Sequence, residues 1–231
     1  MVSRLSIEKR SPADFYLDKL PRVTRKAFLF CVEHLDFLAD SKWYLAGGTA
    51  LALQVGHRQS VDLDFFLPEA DFQATDLERK LVATGEWTTS FRQEGTMYGV
   101  LAGAKVSFIA YPFFKPSSQR IRCGNIFILV QSDIAAMKII AISQRGRKRD
   151  FVDLYWYCNN RESLFEVIQR GVKGYPGQEH NINHILRSLV YFVDAEEDPV
   201  PKIFFKATWR EIKTYFQREV PRITREFLGL A

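Results

Sequence analysis

Two aspartates lie two positions apart in an apolar segment of the sequence, a short distance after a pair of glycines. Asp62 and Asp64 occur in "VDLDFFLP", which has the composition of a core strand that ends at Pro68. Because alternate residues of a strand project to the same side, both carboxylates share one face, while Leu63 and Phe65 project to the other. Neighbouring like charges need a cation between them, and carboxylate oxygens favour Mg²⁺ or Mn²⁺. The pair therefore predicts a metal site.

Gly47 and Gly48 stand where a short apolar strand, "WYLA", leads into a helical segment, "GGTALALQVG". The first N–H groups of a helix have no partner within it, and glycine lets an anion approach them closely. The Thr49 hydroxyl could cap this helix or donate to the same anion. A phosphate site beside a two-carboxylate metal site is what nucleoside triphosphate chemistry requires.

Each of these signals has an ordinary alternative when it is taken alone. Two glycines often form only a tight turn, and two aspartates can mark a solvated strand end. The order strand, glycine pair, helix and aspartate-bearing strand is more specific than either feature, so we favour the functional interpretation.

The elements that must position these residues change in character along the chain. Up to residue 130, the patterns predict helices over 22–39 and 71–85, the two strands above, a meander over 87–113 and a strand over 125–130. Beyond it they predict helices over 132–143, 149–158, 161–171, 181–193 and 208–219. We therefore predict an α+β fold with an α/β domain over 1–130 and a helical domain over 131–231.

Composition narrows the class of protein. The 231 residues are 47% hydrophobic, contain no run that could span a bilayer and begin without a signal-peptide core, which predicts a cytoplasmic protein with no membrane partner. Three isolated cysteines fit a reducing compartment. The net charge of +5 suits a polyanionic partner, although many basic proteins bind none. His180 and His184 have metal-ligand spacing but no third ligand, so we expect surface histidines.

The stretch "GGTALALQVGHRQSVDLDFF" resembles the signature of the polymerase-beta-type nucleotidyltransferase superfamily, and in detail that of the AbiEii/AbiGii toxin family. The segments "KVSFIAYPF", "SDIAAMKIIAISQRGRKRDFVDLYW" and "VYFVDAEEDPVPK" are similar to later motifs of that family, in the family's order. The resemblance implies a nucleotidyltransferase-like mixed sheet and a helical C-terminal domain that completes the site. It also implies an Mg²⁺-dependent toxin of an abortive-infection or toxin–antitoxin pair, with a nucleoside triphosphate, a tRNA or other RNA acceptor, and an antitoxin as partners.

The resemblance assigns roles to individual positions of this sequence. The residues that it implies are Gly47, Gly48 and Thr49 for phosphate binding, Arg58 and Ser60 for nucleotide binding, Asp62 and Asp64 for the metal, Lys138 for the triphosphate, and Asp150 and Asp153 as acidic positions of the last motif. On sequence alone, Lys138 could instead be an exposed helix lysine, and the last two aspartates could pair with Arg147 and Arg149. The "RGRKR" run could be a solvated surface or a landing place for an RNA backbone.

One position departs from the family pattern. Superfamily enzymes often carry a third carboxylate on a neighbouring strand, and "KVSF" has Ser107 there. We hypothesise that the general base is missing or is replaced by Asp150 or Asp153. Two further functions therefore stay open: a catalytically weak nucleotide- or RNA-binding module, and a kinase-like toxin that transfers a phosphoryl group to protein.

Overall fold

The computed structural model describes residues 5–177 and 181–227, and the chain divides into two units, Met1–Val130 and Gln131–Ala231. In the described part of the N-terminal unit, the strands are β1 (Ser6–Lys9), β2 (Tyr44–Ala46), β3 (Leu63–Leu67), β4 (Trp87–Gln93), β5 (Thr96–Leu101), β6 (Ala104–Ala110), β7 (Gln119–Cys123) and β8 (Ile126–Leu129). They form a mixed sheet in the order β1-β7-β8-β2-β3-β6-β5-β4. Helices α1 (Arg22–His34), α2 (Gly47–Val55) and α3 (Ala74–Val82) belong to the same unit.

One face of this sheet carries the core of the N-terminal unit. Leu63, Phe65 and Phe108 are at most 1% exposed on it, and Phe65 stacks on Phe108 with ring centroids 5.2 Å apart. Helix α1 contacts β6, helix α2 contacts β2 and β3, and helix α3 contacts β4. Alternate residues of the strands form the opposite face. Ala46, Asp64, Ser107 and Tyr98 lie in register across β2, β3, β6 and β5 on it; we call it the Asp64 face.

The C-terminal unit is helical in its described residues. Its helices are α4 (Gln131–Arg145), α5 (Lys148–Asn160), α6 (Leu164–Gly174), α7 (Ile182–Ser188), α8 (Val193–Glu196) and α9 (Trp209–Phe227). Helix α4 contacts α5, α6 and α7, and α5 contacts α8 and α9. Phe151 of α5 lies at the centre of an aromatic cluster with Phe192, Trp209 and Phe216 at centroid distances of 5.2 to 5.9 Å. No described helix combines the length and apolar composition needed to cross a membrane.

The predicted α+β class with a mixed sheet and a helical C-terminal part is confirmed, and the differences concern element boundaries. Strands β1 and β7 were not predicted; β1 is exposed along its whole length, so its residues show no apolar alternation. The helix predicted over 22–39 ends at His34. Helix α9 continues through Pro221, whereas the prediction stopped at 219, before a residue that usually interrupts helices.

The three cysteine thiols are free, and their environments predict low reactivity. Burial raises the pKa of the Cys31 thiol, raises that of Cys123 to about 11 and raises that of Cys158 to about 12. Since the thiolate is the nucleophile, we expect iodoacetamide at pH 8 to alkylate the native protein far more slowly than the protein unfolded in guanidinium chloride. Mass spectrometry of quenched time points measures this difference. Rapid modification of any one thiol in the native protein would contradict the burial that the structure gives it.

Candidate functional site

Helix α2 begins directly against an aspartate of the adjacent strand. The register pairs Ala46, the residue before the helix, with Asp64 of β3. Gly47 has φ +70°, a left-handed conformation that glycine adopts without strain, and a Cβ placed on it would lie 3.1 Å from Asp64 Oδ2. The Asp64 carboxylate therefore lies beside the first residue of the helix, where backbone N–H groups have no helical partner.

Gly48 leaves the space that an arginine occupies. A Cβ on Gly48 would overlap Nη2 of Arg58, and it would approach Arg58 Cζ to 3.1 Å and Ser60 Oγ to 3.3 Å. Arg58 is only 3% exposed, and its Nη1 donates to the Gln59 carbonyl oxygen at 2.9 Å. The absence of a side chain at Gly48 thus lets a buried guanidinium group lie against the start of α2.

Thr49 does not cap the helix, as its hydroxyl was expected to do. The N-cap residue is Ala46, which has no side-chain cap, and Thr49 is a buried residue inside α2. Its hydroxyl donates to the Asp62 carbonyl oxygen, and it is hydrogen-bonded to Ser60 Oγ at 2.8 Å. Thr49 therefore fixes the backbone that leads into β3, which explains why a cap interpretation was wrong.

Asp62 and Asp64 lie at the beginning of β3 on the less buried side of the chain. Exposure alternates here: both aspartates are half-buried, whereas Leu63 and Phe65 are buried in the core. Asp62 directly precedes the strand, which begins at Leu63. On the neighbouring strand β6, Ser107 is in register with Asp64, and its hydroxyl donates to Asp64 Oδ1 at 2.8 Å. Ser107 therefore orients this carboxylate from the position where a third acid was expected.

The donor set suits a cation that keeps water and substrate ligands. Among the described residues, no group of three or more His, Cys, Asp or Glu side chains could hold a metal ion. Two carboxylates on one face nevertheless fit Mg²⁺, which binds proteins through one or two carboxylates together with phosphates and water. Of the histidine pair, His180 lies outside the described residues and His184 is exposed.

In the C-terminal unit, the remaining predicted site residues form one buried ion cluster. Lys138 of α4 is 5% exposed, and its Nζ lies 2.5 Å from Asp150 Oδ1 and 2.7 Å from Asp153 Oδ2. Both aspartates belong to α5 and are 0% exposed. Arg145 Nε lies 3.4 Å from Asp150 Oδ2. Lys138 is therefore not an exposed helix lysine, and its ion pairs connect α4 with α5.

The basic run before α5 is anchored by an acidic residue that the sequence left without a role. Asp198 accepts hydrogen bonds from Arg147 Nη1 at 2.8 Å and from the Lys148 backbone N–H at 2.9 Å. Lys148 is 4% exposed, and its Nζ donates to the carbonyl oxygens of Glu196 and Asp198. The acidic "DAEEDPVP" segment thus holds the beginning of α5, and Arg147 pairs with Asp198.

The structure brings the predicted residues together in two groups, one in each unit. The N-terminal group contains Gly47, Gly48, Thr49, Arg58, Ser60, Asp62 and Asp64, and the C-terminal group contains Lys138, Asp150 and Asp153. In the N-terminal group an anion-attracting helix end lies beside the Asp64 carboxylate, and Asp62 lies two residues before Asp64 at the start of β3. A ligand that satisfies both must carry negative and positive charge side by side, as a metal–phosphate complex does.

Comparisons with known proteins identify the family and the fold. The sequence profile described as "Nucleotidyl transferase AbiEii toxin, Type IV TA system" matches residues 31–123 and 125–227. The uncharacterized protein aq_aa25 of Aquifex aeolicus is 37% identical over 183 residues, which cover 77% of this chain and 86% of that protein.

Two solved structures from Helicobacter pylori share the fold, each at 17% sequence identity. A candidate nucleotidyltransferase has a TM-score of 0.52, with 90% of this chain and 96% of that chain covered. JHP933 has a TM-score of 0.51, with 89% of this chain and 92% of that chain covered.

Proposed function

Because the chain belongs to the AbiEii nucleotidyl transferase toxin family, we propose that it transfers a nucleoside monophosphate from a nucleoside triphosphate to a hydroxyl group of an RNA or protein acceptor. One observation carries the proposal: a Cβ on Gly47 would lie 3.1 Å from Asp64 Oδ2. The Asp64 carboxylate would repel a phosphate bound alone at the helix start, and the helix start offers no ligand to a cation bound alone at Asp64. A metal–triphosphate complex suits both groups, because its metal can bind the carboxylate while its phosphate accepts from the N–H groups.

The residues around the start of α2 have distinct roles in this proposal. The N–H groups at the helix start and the Arg58 guanidinium bind phosphate oxygens, while Asp62 and Asp64 hold Mg²⁺ or Mn²⁺. The bound ion supplies positive charge that stabilises the departing pyrophosphate. The acceptor oxygen forms a bond to the α-phosphorus, the bond from that phosphorus to pyrophosphate breaks, and the hydroxyl proton passes to solvent.

The C-terminal group has a less direct part in the proposal. Lys138 as a triphosphate ligand, and Asp150 or Asp153 as a general base, remain predictions from the family resemblance. Both aspartates are 0% exposed and paired with Lys138, so the geometry supports a structural role in which the three residues hold α4 and α5 together. A variant of Lys138 separates the two roles, because a structural role predicts a loss of stability and a role in ligand binding predicts a loss of triphosphate affinity.

A substitution at Gly48 tests the phosphate site. Gly48→Ala places a methyl group where Arg58 Nη2 lies, so the guanidinium must move away from the helix start. We expect triphosphate affinity, measured by calorimetry with Mg²⁺ present, to fall by about tenfold, the usual worth of a charge-assisted hydrogen bond. Gly85→Ala is the control for a general loss of stability, because φ +74° at Gly85 strains an alanine, while a Cβ there meets no atom within 4 Å and the position lies outside the site. Equal losses in both variants would show a general effect on stability and contradict the proposed site.

Labelled triphosphates separate the proposed reaction from its alternatives. The protein is incubated with Mg²⁺, total RNA, a protein extract and each triphosphate labelled at the α- or the γ-phosphorus. Transfer of α-label to a macromolecule is the expected result. The presence of Ser107 in the third acidic position favours a second candidate, a catalytically weak binding module, which predicts triphosphate binding without transfer of either label. Transfer of γ-label to protein would instead indicate a phosphotransferase.

We also propose an antitoxin partner, as membership of a type IV toxin–antitoxin family implies. Expression of the chain alone should slow bacterial growth, and co-expression of the neighbouring gene should restore it. A variant that lacks the charge of Asp64 should not slow growth, which separates toxicity by transfer from toxicity by overexpression.

A further inference from the structure

We propose that Phe91 and Tyr98 form a stacking surface for the bases of a single-stranded nucleic-acid 3′ end and thereby present its terminal hydroxyl to the site at Asp64. This inference rests on the proposed function and specifies the acceptor side of the same site. It depends on three features of the N-terminal unit: the register of the sheet, a β-bulge in β4 and the exposure of the two rings.

The sheet register places the aromatic pair in line with the aspartate. Asp64 is paired with Ser107, Ser107 with Tyr98, and Tyr98 with Phe91. These residues therefore form a continuous row along the Asp64 face. Tyr98 is two strands away from Asp64, roughly 10 Å at the usual strand spacing. That separation is comparable with the length of a nucleotide, so a base on Tyr98 leaves its 3′ oxygen within reach of Asp64.

A bulge in β4 directs Phe91 to this face. Trp87 and Thr89 face the core side, where the Trp87 Nε1–H donates to Thr89 Oγ1 at 2.8 Å. Simple alternation would send Phe91 to the same side. The register shifts between Thr89 and Phe91, and Phe91 consequently lies opposite Tyr98. Bulges of this kind redirect side chains and are frequent beside functional sites.

The two rings are exposed although they are large and apolar. Phe91 is 44% exposed and Tyr98 is 40% exposed, and the rings stack with centroids 5.5 Å apart at an interplanar angle of 23°. A pair of nearly parallel rings on a sheet surface offers flat faces to further rings. Nucleic-acid bases are flat rings that stack on aromatic side chains with little dependence on sequence.

The charge beside the pair favours a nucleic acid over an apolar protein segment. Lys105 is exposed on the same face, in register with Val100 and two residues before Ser107 on β6. A lysine at this position can bind the phosphate that follows a stacked base. The Asp64 face thus combines a ring platform, a cation beside it and a carboxylate site, which are the groups that a stacked base, its phosphate and the reacting hydroxyl would contact.

Fluorescence anisotropy of a short, labelled single-stranded RNA, measured without triphosphate, tests the surface. We expect Phe91→Ala/Tyr98→Ala to weaken binding at least about thirtyfold, the combined loss of two stacking contacts. Phe91→Leu/Tyr98→Leu should weaken it similarly, because leucine keeps apolar area but has no ring face. Tyr98→Phe should bind nearly as wild type. Tyr191→Ala, which removes a ring that is 52% exposed in the other unit, is the matched control and should bind as wild type.

Two further measurements extend the same test: the dependence of RNA affinity on salt concentration and the affinity for single-stranded DNA. Lys105→Ala should weaken binding for all sequences and reduce the slope of log affinity against log salt by about 1. Single-stranded DNA of the same sequence shows whether the surface requires a ribose 2′-hydroxyl. Full binding by the double alanine variant, or by the double leucine variant, would overturn the proposal. Loss of a co-purified protein partner, with RNA binding unchanged, would assign the pair to a protein interface and also overturn it. Triphosphate calorimetry reports separately on the proposed function.

Discussion

Replacing Asp64 with asparagine should lower nucleotidyl transfer by about 10²- to 10³-fold while the fold is retained, because removal of a group that controls charge at the reacting centre has effects of this size. Asparagine has the shape of aspartate, and its amide oxygen can still accept the hydrogen bond from Ser107, which is 2.8 Å long in the native protein. The substitution therefore removes a negative charge and little else. The Asp62→Asn variant should behave similarly, since the proposal needs both carboxylates to hold the ion.

Two measurements distinguish this effect from a general defect. Calorimetry should show that Mn²⁺ or Mg²⁺ no longer enhances triphosphate uptake by the Asp64→Asn protein, and circular dichroism should show an unchanged fold. Asp18→Asn is the matched control, because Asp18 belongs to the same unit and its side chain is 66% exposed. Transfer within threefold of wild type by the Asp64→Asn protein would remove the carboxylate from the mechanism and leave the site as a binding surface.

The grouping of the N-terminal residues in space could be predicted from sequence because they are close in the chain and their geometry is local. A strand, a glycine pair and a helix occupy residues 44–55, and strand periodicity alone puts Asp62 and Asp64 on one side. The sequence does not show which hydrogen-bond partner each of these side chains has. The Thr49 hydroxyl could reach an anion, a helix end or a loop carbonyl, and only the folded path of residues 58–62 shows that it bonds Asp62.

The two residues that we propose for the acceptor side could not be predicted from the sequence, for a similar reason. Phe91 and Tyr98 were assigned to strands of the meander, but their shared face depends on a register shift between Thr89 and Phe91. Gly99 contributes to this arrangement, because a Cβ there would overlap the Trp87 ring that packs across β5. An irregular register is a property of two strands together, so neither strand's own pattern predicts it.

The burial of Lys138, Asp150 and Asp153 shows that the C-terminal group is an internal ion cluster and not a set of exposed surface charges. The helix patterns predicted α4 and α5, but the side of each helix that meets the other follows from packing. The packing places Lys138 against two aspartates that are twelve and fifteen positions away in the sequence, and all three are buried. The alternative pairing with Arg147 does not occur because Asp198 binds Arg147 instead.

Replacing Lys138 with methionine should reduce the free energy of unfolding by about 3–5 kcal/mol, because it removes a buried positive charge that pairs with two buried carboxylates. Lys138 Nζ lies 2.5 Å from Asp150 Oδ1 and 2.7 Å from Asp153 Oδ2, and Arg145 Nε lies 3.4 Å from Asp150 Oδ2. Urea unfolding followed by tryptophan fluorescence measures the loss, since Trp209 packs on Phe151 of the same helix that carries the aspartates. Lys173→Met, at an exposed position of α6, is the control and should change stability by less than about 0.5 kcal/mol.

A compensating variant makes the Lys138 prediction specific to charge. In Lys138→Met/Asp150→Asn/Asp153→Asn the buried charges are removed together, so most of the lost stability should return. If Lys138 acts mainly on the triphosphate, the single variant should instead keep its stability to within about 1 kcal/mol and lose triphosphate affinity. A stable Lys138→Met protein with impaired triphosphate binding would therefore contradict the structural role between α4 and α5. It would support triphosphate binding by Lys138, the role that the family resemblance implies. Stability and triphosphate affinity are measured on the same variant, so the two roles predict different results. The structural role predicts that stability falls, and the ligand-binding role predicts that stability is kept while affinity falls.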